Sequence, residues 1–112
     1  KKEDITIVTN NYKFKSKDPF LTSQYNVLLG DYYYNNGKYF DATKYYEKSL
    51  TLFDKYPDIL IDAKISLIDT YILIDEISKA KREADEVNED KLSVQSTSKF
   101  NSYYMSVYSQ LK

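Results

Sequence analysis

Residues 38 positions apart in this chain carry similar side chains, and this internal repeat is the feature that most restricts its fold. The matched positions are Leu29 with Leu67, Gly30 with Ile68, Tyr33 with Tyr71, Tyr39 with Ile77, Ala42 with Ala80, and Tyr46 with Ala84. These positions are apolar or small, as expected of a packed face. A period of about 20 to 50 residues is typical of proteins that stack one supersecondary unit.

The first unit is predicted to be two helices joined by a tight turn. Asp18 is a favoured N-cap and Pro19 suits the first helical position, so a helix should begin there. Apolar residues then recur at three- and four-residue steps until Gly37, whose freedom to adopt a left-handed conformation predicts the end of the helix. A second helix should run from about Tyr39 until it is stopped by Pro57. So short a turn allows only an antiparallel pair.

Three further helices are predicted, which gives an all-α chain of about five helices without a convincing strand. Asp58 is the expected cap of the third helix, whose wide apolar surface indicates that it packs between neighbours. The fourth should cover residues 77–90 and the fifth residues 94–111. Residues 1–17 have no clear pattern, and we expect a flexible or loosely docked leader before a helical domain at 18–112.

Composition argues against several classes of function. The chain has 16 basic and 17 acidic residues, which argues against nucleic acid as a partner because phosphate binding needs a surplus of positive charge. It has no cysteine and no histidine, and so lacks thiol chemistry, the commonest general base and the commonest metal ligand. No phosphate-binding or nucleophile motif is present. We therefore expect no enzymatic activity and no cofactor. Apolar runs of three or four residues are too short to predict a membrane span.

The motif Leu29-Gly30-x-x-Tyr33, followed by Gly37-x-Tyr39-x-x-Ala42-x-x-x-Tyr46, resembles a tetratricopeptide repeat. The resemblance implies that the small residues Gly30 and Ala42 let the two helices approach closely, while the tyrosines fill the space around them. It also implies a short right-handed solenoid of stacked hairpins. The first repeat would cover residues 23–57, the second 61–91, and a partial repeat or capping helix 94–111.

The sequence departs from this family pattern in two ways. Ile68 stands where the second repeat should have a small residue. The step of 38 residues also exceeds the usual length of about 34. The extra residues are most simply placed in a longer second helix before Pro57.

The resemblance further implies a concave binding face formed by the first helix of each repeat. Its residues would be Gln24, Val27, Asp31, Tyr34 and Asn35 in the first repeat, and Asp62, Ile65, Asp69, Ile72 and Leu73 in the second. The repeat aligns Asp31 with Asp69, which predicts an apolar groove with two stacked acids, suited to a peptide with basic and aliphatic residues. Alternatively, the aliphatic residues pack against the third repeat and the acids are ordinary surface charges.

These expectations favour a protein- or peptide-binding scaffold without catalytic activity. Relatives that clamp acidic tails use Lys, Asn and Arg where this chain has Val27, Asp31 and Asp69, so that ligand is not expected. The terminal helix is a candidate for homo-oligomerisation. Two alternatives are a peptide-sensing or dimerisation fragment of a bacterial transcriptional regulator, and a structural segment of an envelope lipoprotein. A cytoplasmic location is slightly favoured over a periplasmic or lipid-anchored one. As surface residues, Asp31 and Asp69 should tolerate substitution by lysine with little loss of stability.

Overall fold

The structure is a computed structural model that describes residues 17–110 as an all-helical chain with no strand in that range. Its five helices are α1 (Pro19–Asn35), α2 (Tyr39–Ser49), α3 (Pro57–Leu73), α4 (Ile77–Asp85) and α5 (Val94–Gln110). Short 3-10 turns at Leu50–Leu52 and Glu89–Lys91 follow α2 and α4. The predicted all-α class is confirmed. The predicted leader lies outside the described residues except for Lys17.

Both ends of α1 follow the sequence signals. The carboxylate of Asp18 accepts a hydrogen bond from the backbone N–H of Phe20 at 2.9 Å, and Pro19 is the first helical residue. At the other end, Gly37 has a φ of 74°, the left-handed conformation that reverses the chain into α2. The predicted start and stop of this helix are therefore confirmed.

The α3–α4 turn has the same backbone conformation as the α1–α2 turn, although it contains no glycine. Asp75, with a φ of 64°, stands 38 residues after Gly37. The closing hydrogen bonds are also equivalent: Lys38 N to Tyr33 O at 2.9 Å, and Glu76 N to Tyr71 O at 2.8 Å. Aspartate is one of the few residues other than glycine that adopt this conformation.

Two predicted helix ends are wrong. The helix α2 stops at Ser49 and is followed by the 3-10 turn Leu50–Leu52, so the residues that lengthen the repeat do not extend α2. The conformation of residues just before Pro57 is restricted by the proline ring, which favours an irregular connection. The helix α4 stops at Asp85 instead of residue 90, and the side chain of Asn88 accepts a hydrogen bond from Asp90 N at 3.1 Å in the turn that follows.

The start of α3 also differs from the prediction. Pro57 itself is the first helical residue, preceded by Tyr56 in a non-helical conformation (φ −129°, ψ 56°). Asp58 therefore lies inside the first turn and does not cap it. Because proline has no N–H to satisfy, it fits the first position without a side-chain cap.

Helix α3 forms the centre of the core. It packs against α2, α4 and α5. Nine of its seventeen residues are buried, which confirms the predicted position between neighbours. Phe100 and Val107 of α5 belong to the same apolar cluster as Ile68 of α3. The third helix thus joins the two hairpin units and the last helix around one core.

The helices α1 and α2 meet at a glycine. A Cβ atom added to Gly30 would lie 2.6 Å from two ring atoms of Tyr46, and the nearby Ala42 is fully buried. At the equivalent positions of the second unit the sizes are exchanged, since Ile68 is the large residue and Ala84 the small one, both buried. In both units a large side chain therefore packs beside a small one. The large side chain comes from the second helix in the first unit and from the first helix in the second unit.

Candidate functional site

A concave cavity of about 470 Å³ lies between α1, α3 and α5, and we refer to it as the groove. Six of the ten predicted site residues line it: Asp31, Tyr34, Asn35, Asp62, Ile65 and Asp69. They come from the second half of α1 and from the middle of α3. The first helices of the two units therefore share one cavity.

The other four predicted residues do not line the groove. Gln24 and Val27 precede the segment of α1 that reaches the cavity. Ile72 packs against the core cluster near the end of α3, and Leu73 is 47% exposed without lining the groove. The cavity is shorter along each helix than the predicted face.

Helix α5 supplies a wall of the groove that the sequence reasoning did not predict. Its contribution includes Ser96, Lys99 and Tyr103. The missing signal was the register of the last helix, which the sequence left ambiguous between Ser102, Ser106 and their neighbours. The first residues of the helices give the alignment, because α3 begins at Pro57 and α5 begins 37 residues later at Val94.

Asp31 is held by a tyrosine of the neighbouring helix. The hydroxyl of Tyr46 donates a hydrogen bond to its carboxylate at 2.6 Å. Burial, followed by this hydrogen bond to Asp31, raises the pKa of Tyr46 well above its usual value. The hydroxyl therefore stays protonated at neutral pH and acts as a donor.

Asp69 interacts with tyrosines from two other helices. Tyr34 of α1 donates a hydrogen bond to its carboxylate, and this bond is the main reason why the pKa of Tyr34 is raised. Tyr103 of α5 also has a raised pKa, caused first by burial and then by the negative charge of Asp69. One carboxylate on α3 thus links the three helices that surround the groove.

Asp62 completes the acidic lining. It accepts a hydrogen bond from the hydroxyl of Ser96 at 2.7 Å and is otherwise exposed. Seven residues separate Asp62 from Asp69, or about two helical turns and ~10 Å along α3, so both lie on one side of the helix.

The groove carries an excess of negative charge. Within residues 17–110, none of Asp31, Asp62 and Asp69 forms an ion pair with a basic side chain. Lys99 is the basic residue of the described lining, and it too makes no ion pair with a described residue. Three carboxylates held by hydroxyl groups give a surface that attracts cations.

The contacts change two expectations about this site. Ile65 is 4% exposed and belongs to the core cluster, so the groove offers little apolar surface for an aliphatic side chain. Substitution of Asp31 by lysine would take away the acceptor of the buried Tyr46 hydroxyl, and such a loss typically costs about 1 to 3 kcal/mol. A lysine variant is therefore not the neutral change that a surface position predicts.

A second polar cluster has a structural role. The ammonium group of Lys64, only 3% exposed, lies 2.9 Å from Glu83 and 2.7 Å from Glu86, and 4.2 Å from the ring centre of Phe53. A buried lysine is rare unless it is paired, and here two carboxylates and an aromatic face satisfy it. This cluster joins α3 to α4 and to the connection after α2.

The part of the chain between residues 17 and 110 contains no group of three or more His, Cys, Asp or Glu side chains arranged to hold a metal ion. No helix within the same residues combines the length and the apolar character needed to cross a membrane.

A scan against models of protein families gave no match, and searches of curated proteins and of solved structures gave no significant similarity either. Any proposal for the function of this chain therefore depends on its own residues and their geometry.

Proposed function

We propose that this chain is a tetratricopeptide-like repeat module, without catalytic activity, that binds a basic peptide segment of another protein in the groove. The observation that carries the proposal is that Asp31, Asp62 and Asp69 line one concave cavity and form no ion pair with a described residue. The groove is surrounded by the first helix of each unit, which is the arrangement that the resemblance implies for a binding face.

The equivalence of the two hairpin units supports the repeat part of the proposal. Gly37 and Asp75 adopt the same left-handed conformation 38 residues apart. The exchange of sizes between the Gly30–Tyr46 and Ile68–Ala84 positions keeps the helix contact filled in both units. A pair of units that share turn geometry and contact positions is what stacking of one motif requires.

The chemistry of the lining favours a cationic ligand. A lysine or arginine entering the groove meets carboxylates that are already oriented by hydroxyl donors, and it does not have to break an existing ion pair. Attraction is stronger in a partly enclosed cavity than at an open surface, because less water screens the charges. A peptide is preferred over a small cation because the acidic groups are distributed along the groove.

The distance between two acids suggests a spacing for the ligand. Asp62 and Asp69 are ~10 Å apart along α3. In a polyproline II peptide, three residues make one turn of ~9.3 Å, so side chains three positions apart lie on the same side at about this separation. We therefore expect two basic residues with two residues between them to match the groove better than adjacent ones.

The proposal is tested with a fluorescein-labelled peptide containing Lys-Ala-Ala-Lys, whose binding is measured by fluorescence anisotropy. The test variant combines Asp31→Asn with Asp69→Asn, which removes two charges but keeps an oxygen that can accept the tyrosine hydrogen bonds. The control combines Glu89→Gln with Asp90→Asn, which changes the net charge equally at exposed positions outside the groove.

We expect the groove variant to bind at least about tenfold more weakly than the parent chain, which corresponds to ~1.4 kcal/mol. The control variant should retain the parent affinity, and added salt should weaken binding in both proteins. Equal losses in the two variants would mean that only net charge matters, and the groove would be rejected. Absence of binding to the parent chain would reject the basic-peptide ligand.

A further inference from the structure

One basic side chain stands among the acids of the groove. Lys99 of α5 is an exposed residue of the groove lining. It forms no ion pair with a described residue, although Asp31, Asp62 and Asp69 line the same cavity. An ammonium group without an ion pair, in a cavity where carboxylates outnumber it, is open to an anionic group of a ligand.

Contacts between α3 and α5 determine where Lys99 stands along the groove. At one end, Ser96 donates a hydrogen bond to Asp62 at 2.7 Å. At the other end, burial and then the nearby charge of Asp69 raise the pKa of Tyr103. Lys99 is three residues after Ser96 and four before Tyr103, so these side chains lie on one side of α5. Lys99 therefore stands at a level between Asp62 and Asp69, ~4.5 to 6 Å along the axis from each contact.

The two walls of the groove carry opposite charges at this middle level. On the α1 wall stands Asp31, because the hydroxyl of Tyr46 interacts both with Asp31 and with Ser66, which lies between the two acids of α3. On the α5 wall stands Lys99. A ligand whose charges are all positive would meet Lys99 as a repulsive group beside its attractive contacts. Opposite charges across a contact fix the register of the right partner, and like charges disfavour the wrong one.

We propose that Lys99 selects a ligand peptide that carries an acidic residue between its two basic residues. This inference rests on the basic-peptide ligand proposed above and adds the residue that occupies the middle of the groove. In a polyproline II peptide, the two side chains between the basic residues point to either side of them, so one faces α5 when the basic residues face α3. A carboxylate there accepts a charge-assisted hydrogen bond from the ammonium group of Lys99.

Lys99 also has an effect that does not depend on where the acid of the ligand stands. Its positive charge makes the groove less negative, which weakens the attraction of every cationic peptide to a similar extent. Selection of an acid between the two bases depends on position instead. Peptides of equal net charge, which differ only in the position of the acid, therefore separate the two effects.

Fluorescence anisotropy with three labelled peptides of identical composition makes this comparison. Lys-Glu-Ala-Lys-Ala and Lys-Ala-Glu-Lys-Ala carry the acid between the lysines, at either of the two positions, and Glu-Lys-Ala-Ala-Lys carries it outside them. Each peptide is measured with the parent chain, with Lys99→Gln and with Lys99→Glu. The control variant is Lys44→Gln, which removes a lysine that is also exposed but lies outside the groove. Because Lys99 is exposed, its variants should keep the helicity of the parent chain in circular dichroism.

With the parent chain and with Lys44→Gln, at least one peptide with the internal acid should bind about threefold more tightly than Glu-Lys-Ala-Ala-Lys, as expected of one partly exposed ion pair. This preference should disappear with Lys99→Gln and reverse with Lys99→Glu.

Equal affinities of the three peptides for the parent chain would overturn the role of Lys99, and so would a preference that persists in Lys99→Gln. Binding of Lys-Ala-Ala-Lys in the same series shows that such a failure concerns Lys99 and not the basic-peptide ligand. Absence of binding of every peptide to the parent chain would reject both proposals.

Discussion

The ring of Tyr46 lies against the α-carbon of Gly30, at the point where a Cβ atom would be only 2.6 Å from the ring. The hydroxyl at the far end of the same side chain donates a hydrogen bond to Asp31. One residue of α2 therefore sets how closely the first two helices approach and also orients a carboxylate of the groove. Packing and the candidate binding site are connected through this side chain.

The substitution Gly30→Ala tests the close approach. Alanine favours a helix over glycine by about 1 kcal/mol, but its methyl group would have to displace a ring that is 1% exposed. Overpacking of this kind costs about 1 to 3 kcal/mol, so after subtraction of the helix preference we expect a net loss of up to ~2 kcal/mol in the free energy of unfolding, measured by urea denaturation.

The background variant Tyr46→Leu supplies the control for this substitution. Without the ring, the added methyl group no longer has an obstacle, and the helix preference of alanine should dominate. Gly30→Ala should then be neutral or stabilising relative to Tyr46→Leu alone. A loss of equal size in both backgrounds would show that the clash with Tyr46 is not the cause.

The tyrosine–carboxylate pairs predict a loss of stability at alkaline pH. Burial and hydrogen bonding raise the pKa of Tyr46 and of Tyr71 above the value of about 10 for an unfolded chain, and a hydrogen bond does so for Tyr34. Between the unfolded and the folded pKa, the folded state binds more protons, so its stability decreases as the pH rises. Below pH ~9 these groups should contribute no pH dependence, because both states are protonated.

Thermal or urea unfolding measured from pH 8 to pH 11 checks this prediction. Each tyrosine that ionises only in the unfolded chain should add about 1.4 kcal/mol per pH unit to the decline above pH ~10. The variant Tyr46→Phe should be less stable at pH 8, through loss of the hydrogen bond to Asp31, but should have a shallower decline. An unchanged slope would contradict the assignment of a raised pKa to Tyr46.

Much of the fold followed from local signals in the sequence. Pro19 and Gly37 fix the ends of α1 through conformations that depend on those residues alone, and the structure has them as predicted. The wide apolar surface of α3 likewise predicted that this helix is buried, because the spacing of its apolar side chains requires neighbours on several sides. Such features need no knowledge of distant residues.

Features that depend on how distant segments meet were not predictable in this way. Lys64 has the pattern of a surface residue, yet it is buried because Glu83, Glu86 and Phe53 approach it from two other elements. The sequence also did not indicate which residues of the predicted binding face line the groove and which belong to the core. Ile72 packs against the core cluster whereas Asp69 lines the cavity, and this depends on how α5 packs against α3, which no repeat alignment specified.

The two hairpin turns give a matched pair of substitutions. Gly37 and Asp75 both have a left-handed φ, and a side chain in that conformation costs about 1 kcal/mol relative to glycine. Because a Cβ atom at Gly37 would have no atom within 4 Å, the conformation itself should dominate the effect there.

We therefore expect Gly37→Ala to lower the free energy of unfolding by ~1 kcal/mol, and Asp75→Gly to raise it by ~0.5 to 1 kcal/mol. Urea denaturation of both variants measures the two changes, and the double variant should be close to their sum because no described hydrogen bond or ion pair joins the two turns. A destabilising Asp75→Gly would mean that the aspartate side chain contributes more to the second turn than its backbone conformation costs, and the two turns would then not be energetically equivalent.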